Sequence, residues 1–410
     1  MDDPGGSPGA TMGATTRVDL PTQQSLLSAP MSYSDVTDHR AMVFDRLRNA
    51  AYTRALEKLV GPGTTVMDLG AGLGVHGLTA ASLGAAAVHL VEPAPVLEVA
   101  RRIASDNGLD NVHCHPCPVE ELQLDARVDV LVSVFTGNFL LGEDLLPALF
   151  RARDKFLAPG GSMIPDRARM EVVPVSAPGY YREHVDRWST RAGTGCEQGA
   201  PLLDYRAVRP YAANTLYWDT RESFDARPLA AIATLMELDL SLATRAGCDC
   251  KLELAVEQSG TCHGWLGWFQ MRLGDEWLST SGEPEATHWR PVFLPLATPI
   301  EVRAGEPLGF SLHRPEFGEW TWTTTLRGER QRQSTFLSRP LSAERLRRAS
   351  DNYQPRLNQR GEAAQWLLAR MAGENAVGQL ASDLQARFPG VFSGSEEALK
   401  FVSKLAEHFS

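Results

Sequence analysis

Val66-Met67-Asp68-Leu69-Gly70-Ala71-Gly72-Leu73-Gly74 decides the fold of this 410-residue chain. Val66 to Leu69 reads as a short buried strand. The glycines let its exit turn approach a ligand closely, and the helix that follows presents unpaired N–H groups. A second apolar run, Val88-His89-Leu90-Val91, ends on Glu92, about 20 residues past Gly72, where a βαβ unit sets an acid against ribose hydroxyls. The two runs together predict a nucleotide-type cofactor at the carboxyl edge of a parallel sheet.

The spacing narrows the cofactor. A dinucleotide fingerprint places glycine or alanine three positions after its second glycine, and here that position is Val75. The pattern is instead G-x-G-x-G preceded by Asp68, which resembles motif I of the class I S-adenosylmethionine (SAM) methyltransferases. That resemblance implies SAM as cofactor and S-adenosylhomocysteine as product, with a nicotinamide enzyme as the alternative.

Working outward, the first 28 residues are rich in Gly, Pro, Ser and Thr and read as a disordered tail. Residues 29–164 carry N-terminal helices, from about Thr37, and the α/β sheet domain, with strands at Val66 to Leu69, Val88 to Val91, Val112 to Cys114 and Val128 to Val132. After Pro165 short β-like runs, Leu252 to Val256, Trp265 to Met271 and Trp320 to Leu326, predict a β-barrel over 165–340. Trp265, Trp268 and Trp277 are expected to fill it, and Cys248 and Cys250 to share one strand face. From 341 onward the period is helical: Ala363, Ala364, Leu367, Leu368 and Met371 form one face, Val377, Leu380, Ala381, Leu384 and Phe388 a second, and Leu399, Val402 and Leu405 a third. Ser393 and Glu396 read as a capping box.

A net charge of −10 argues against a nucleic-acid footprint. Six scattered cysteines, with neither a signal peptide nor a membrane-length apolar run, predict a reducing cytoplasmic setting. His113-Cys114-His115-Pro116-Cys117 has metal-ligand residue types but no second ligand cluster nearby in sequence, so no metal is expected.

Several blocks, in order over roughly residues 33–330, resemble the protein arginine methyltransferases. His39-Arg40-Ala41-Met42-Val43-Phe44-Asp45-Arg46-Leu47-Arg48 is similar to the family's H-E-E-M-L-x-D-x-x-R segment, and Val119-Glu120-Glu121 to its V-E-E block. Thr287-His288-Trp289 is similar to its T-H-W loop, and Tyr33 to the last member of its Y-F-x-x-Y segment. The resemblance implies that His39 and Arg48 hold SAM, Arg48 through the methionyl carboxylate, and that Glu120 receives the adenine amino group. With Asp68, Gly70, Gly72 and Glu92 these make the expected cofactor set, and Glu143, His288 and Tyr33 the catalytic set. The family also implies a homodimer, closed by an arm that would lie over 180–218.

The departure falls at the acceptor. The family's double-E loop, S-E-W-M-G-x-x-L-x-x-E, corresponds to Ser133 through Glu143: the second glutamate is Glu143, whereas the first is Val134. A planar guanidinium needs two carboxylates to satisfy its fork of donors. This predicts a methyltransferase with an altered acceptor site, acting on a peptide or specialised metabolite, with a true arginine N-methyltransferase and a silent SAM-binding relative as alternatives. Glu143 would orient the nucleophile or take its proton, and His288 would support that carboxylate or act as base. Residues from about Asn358, with the Leu357-Asn358 start and the Met371-Ala372-Gly373 turn, resemble the helical part of PqqD-like domains, which dock leader peptides. A helical packing or dimer-support module is the other reading.

Overall fold

The computed structural model describes residues 36–189, 191–193 and 202–409. Tyr33 and the expected tail lie outside the described residues, as do 190 and 194–201 of the expected arm. The chain divides into two compact units, one ending at Arg339 and the other beginning at Pro340.

In the first unit, helices α1 (Val36–Val43) and α2 (Arg46–Leu59) lead into strand β1 (Thr65–Leu69), α3 (Val75–Ser82), β2 (Ala87–Val91), α4 (Leu97–Asp106), β3 (Val112–His115), β4 (Val128–Ser133), α5 (Leu146–Phe156) and β5 (Leu157–Ile164). The strands form one parallel sheet in the order β3-β2-β1-β4-β5. Val66, Val88, Leu90, Val128 and Val132 are fully buried, as strands covered on both faces must be. β5 is the strand that periodicity missed. Its Pro159-Gly160-Gly161 looks like a turn, and an edge position tolerates residues that would break a central ladder. Because β1 has β2 on one side and β4 on the other, the loops leaving β1 and β4 diverge and open a crevice at their carboxyl ends.

β6 (Arg167–Ser176) begins an antiparallel region of two sheets. In the larger, β6 pairs with the strand Gly260–Leu273, which pairs with Val292–Val302. The smaller runs Cys248–Ala255, Pro307–Arg314, Thr321–Leu326, Glu329–Ser334. Trp265 and Trp322 tie the sheets together: Trp265 Nε1 donates to Thr324 Oγ1 at 2.8 Å and Trp322 Nε1 to the Pro295 carbonyl at 2.9 Å. Cys248 and Cys250 point the same way along their strand, and Trp265 and Trp268 are buried. Trp277 is not: it lies 37 % exposed, stacked by the Arg169 guanidinium, because its short strand pairs at the sheet margin. In the expected arm, Tyr180 and Tyr181 are buried with Phe224, Trp268 and Phe293, so these aromatics anchor the segment to its own barrel.

The second unit packs the helices Gln359–Leu368, Val377–Arg387 and Ser395–Phe409 around Ala363, Leu367, Leu380, Leu384, Ala398 and Val402. Leu368, Val377 and Leu399, expected on its inner faces, are exposed. The capping acid is Glu397 rather than Glu396. The last helix starts at Ser395, so Glu397 is its third residue, and its carboxylate accepts from Ser393 N and Oγ at 2.7 and 2.8 Å. No helix among the described residues is long and apolar enough to cross a membrane.

Candidate active site

The turn after β1 is a run of left-handed glycines, Gly70 at φ +72°, Gly72 at +53° and Gly74 at +79°. A Cβ at Gly70 would collide with the Phe135 ring, and one at Gly72 with the His39 imidazole, which therefore lies against the loop. Glu92 braces the same turn: its carboxylate accepts from Gly72 N at 3.1 Å and Ala94 N at 2.9 Å. Asp68 faces the other way and accepts from Gly77 N in α3 at 2.8 Å. Burial pushes its carboxyl up to about 7, against the pull of that N–H. It holds the loop to the helix. Glu120 is on the surface, ion-paired with Arg151.

Arg48 closes the crevice from α2 and is 2 % exposed. Its Nη2 donates to the Met42 carbonyl at 2.7 Å and Nε to Asn49 Oδ1 at 3.0 Å, while buried Nη1 has no hydrogen-bond partner among the described residues. The guanidinium stands over the Trp289 ring, 5.8 Å from its centroid.

His288 is positioned by Asp45, an acid to which the sequence motifs assign no role. Asp45 caps α2, accepting from Arg48 N at 2.9 Å, and its other oxygen accepts from His288 N at 2.7 Å and meets His288 Nδ1 at 2.9 Å. A carboxylate at that distance assigns the ring proton to Nδ1 and leaves the Nε2 lone pair as an acceptor. Burial lowers the His288 pKa against the opposing pull of Asp45, and the ring is neutral near pH 7. Beside its expected support of Glu143, His288 thus forms a His–Asp pair. Sequence offered one signal for Asp45, its helix-capping position three residues before Arg48.

The loop leaving β4 is folded tightly and fastened to the barrel. Phe139 and Leu140 both adopt left-handed φ, and a Cβ at Gly137 would strike Glu143. Trp289 Nε1 donates to the Thr136 carbonyl at 3.0 Å, Arg290 N to Asn138 Oδ1 at 3.1 Å, and Phe139 stacks on Trp320 at 5.3 Å. Arg314, 3 % exposed, forks onto both Asp144 oxygens at 2.8 and 2.7 Å, and Phe317 N adds a third donor at 2.9 Å. Glu143 is half-buried in this frame, and its charge acts on His288. The structure therefore brings His39, Arg48, Gly70, Gly72, Glu92, Glu143 and His288 to the crevice side, and leaves Asp68 behind the loop and Glu120 at the surface.

On β2 and β3, His89 Nδ1 and His115 Nε2 lie 3.0 Å apart. Among the described residues no three His, Cys, Asp or Glu side chains are placed to hold a metal ion.

A parallel sheet with a glycine loop, a buried arginine and a following acid is the frame of a class I SAM-dependent methyltransferase. Residues 66–161 match the family model described as a methyltransferase domain, and 166–316 the arginine methyltransferase oligomerization subdomain. The chain is 30 % identical over 289 residues to protein arginine N-methyltransferase 6 of Xenopus laevis, covering 66 % of this chain and 81 % of that one. It is 32 % identical over 289 residues to the arginine N(omega)-methyltransferase of Streptomyces achromogenes subsp. streptozoticus, covering 68 % and 76 %. The Trypanosoma brucei PRMT1 enzyme–prozyme heterotetrameric complex with AdoHcy superposes with a TM-score of 0.65 at 26 % identity, over 74 % of this chain and 99 % of that one. The chain belongs to the protein arginine methyltransferase family.

Proposed function

We propose that this methyltransferase acts on a peptide or specialised metabolite at an atom other than a doubly clamped guanidinium nitrogen. The acids of the acceptor loop carry the reading. Val134 stands where the family block has its first glutamate, Asp144 is committed to Arg314 and Asp45 to His288, and Glu143 is the one glutamate of the block that this loop keeps. A guanidinium clamped by one carboxylate keeps donors unpaired in a desolvated pocket, at about 1–3 kcal/mol for each.

Two observations fit SAM at the cofactor end. Arg48 presents a buried, unpartnered Nη1 suited to a carboxylate, and Gly70 and Gly72 have room for backbone but not for side chains. In this reading His39 covers the loop, Glu92 takes the ribose hydroxyls, and Glu120 reaches the adenine amino group after releasing Arg151. Bound SAM supplies a methyl group already activated by its sulfonium. The protein's task is to align a nucleophile with it and exclude water. Glu143 orients the nucleophile, and His288, held neutral with Nε2 open, accepts its proton.

The test is Val134→Glu, assayed with methyl-labelled SAM on free arginine, arginine peptides and cell extract, with mass spectrometry of the products. For a neutral acceptor the new acid is half-buried without a partner and activity on the extract's acceptor falls. Faster methylation of arginine than by wild type would sink this reading in favour of the second, an arginine N-methyltransferase, which the names of the Xenopus and Streptomyces relatives favour.

The match to an oligomerization subdomain supports an isologous homodimer, with the segment 180–218 as its arm. Sedimentation at micromolar concentration should give a dimer, and a monomer would count against it. The helical unit that begins at Pro340 is read as a packing or dimer-support module, with leader-peptide docking as the alternative.

A further inference from the structure

We infer that His76 is a positioning residue of the cofactor site, hydrogen-bonding the amino-acid end of SAM beside Arg48. This rests on the reading of Arg48 as the partner of the methionyl carboxylate. His76 is the second residue of α3, in the turn whose N–H groups follow the glycine loop and favour an anionic group. It is 4 % exposed, and neither Nδ1 nor Nε2 has a hydrogen-bond partner among the described residues. An apolar side chain of similar volume would fill the space without leaving a donor and an acceptor unmade. The imidazole is thus suited to a partner that the protein does not supply.

Where it lies says what that partner is. The ring stacks on Tyr52, with centroids 4.1 Å apart and planes 19° apart. Tyr52 is one turn along α2 from Arg48, on the same helix face, and Arg48 Nη1 is the other orphaned nitrogen of that face. Arg48, His288 and Asp45 are the charged and titratable groups acting on the ring. Burial and the neighbouring Arg48 hold its pKa well below the usual histidine value, so it is neutral. A neutral imidazole offers one N–H and one lone pair. The amino-acid end of SAM carries a carboxylate, which the Arg48 fork engages from one side, and an ammonium. The His76 N–H matches a remaining carboxylate lone pair and its other nitrogen accepts from the ammonium.

Calorimetry on the full chain tests this with two probes: S-adenosylhomocysteine, and 5′-methylthioadenosine, which keeps the nucleoside and thioether but lacks the amino-acid end. His76→Leu should weaken S-adenosylhomocysteine about 10-fold, as loss of a charge-assisted hydrogen bond does, and change 5′-methylthioadenosine by less than about 2-fold. Melting of the ligand-free protein should be unchanged or higher. Unchanged affinity for both probes, or an equal loss of both, overturns the inference and makes His76 structural. If the variant does not fold, ring-nitrogen resonances of ¹⁵N-histidine wild type decide: the His76 signals should move with S-adenosylhomocysteine and stay with 5′-methylthioadenosine, and no selective movement overturns it. Arg48→Ala is measured in parallel. If it also leaves S-adenosylhomocysteine binding intact, the placement of the amino-acid end fails. If only His76→Leu does so, His76 alone is removed.

Discussion

The two ends of the crevice are built in different ways. The glycine-loop end is made largely of local chain: left-handed glycines, helix N–H groups and Glu92 hydrogen-bonded across 20 positions to Gly72. The acceptor end is made of side chains drawn from distant chain. Asp45 reaches His288 across 243 positions, Asp144 reaches Arg314 across 170, and Trp289 reaches Thr136 across 153. The lesson is about tolerance. A backbone cradle depends on conformations that glycine alone adopts easily, whereas a loop held by side-chain struts can change a side chain between them while the struts keep its shape.

The sharpest way to break this contrast is to remove a strut. Asp144→Ala leaves the Arg314 guanidinium buried without its carboxylate, and breaking such a pair typically costs about 3–5 kcal/mol. Denaturant unfolding should show that loss, and turnover should fall with it because Glu143 adjoins the released residue. A variant as stable and active as wild type would mean that the loop holds its own shape.

Next in size is the chemistry carried on the loop. Glu143→Gln keeps shape and volume and should cut turnover by about 10²-fold, the usual contribution of a positioned acid–base group. Binding of S-adenosylhomocysteine should be nearly unchanged. If affinity and turnover fell together, the two ends would not be separable.

A third test reaches the glycine-loop end through pH. Unfolded Asp68 ionises near its ordinary value of about 3.9, whereas burial in the fold pushes it up to about 7. Between those values the folded chain retains a proton that the unfolded chain has lost, so this group makes stability fall as pH rises through that window. Asp68→Asn keeps an acceptor for Gly77 N and removes the slope. Its melting temperature should gain on wild type between pH 4 and pH 8. A constant difference would show Asp68 ionised throughout.

The sequence by itself determined the sheet domain, because strand, glycine turn and helix are local matters of hydrophobic period and allowed φ, and Val66 to Gly74 states all three. The barrel's Trp265 and, in the helical unit, Leu367, Leu380, Leu384 and Val402 were legible for the same reason, whereas Trp268 packs outside the barrel core with Tyr180 and Tyr181. So were the residue types at Arg48, Glu92, Glu143 and His288, through ordered blocks that resemble a family. Only the tertiary structure decided what those residues touch. It turned Asp68 behind the loop, paired Glu120 with Arg151 at the surface, and set Asp45 against His288. It also moved the helix cap from Glu396 to Glu397 by starting that helix two residues after Ser393, and left Trp277 at a sheet margin. Periodicity fixes the face on which a side chain emerges, but its partner depends on how sheet and barrel close on each other, and no local pattern records that approach.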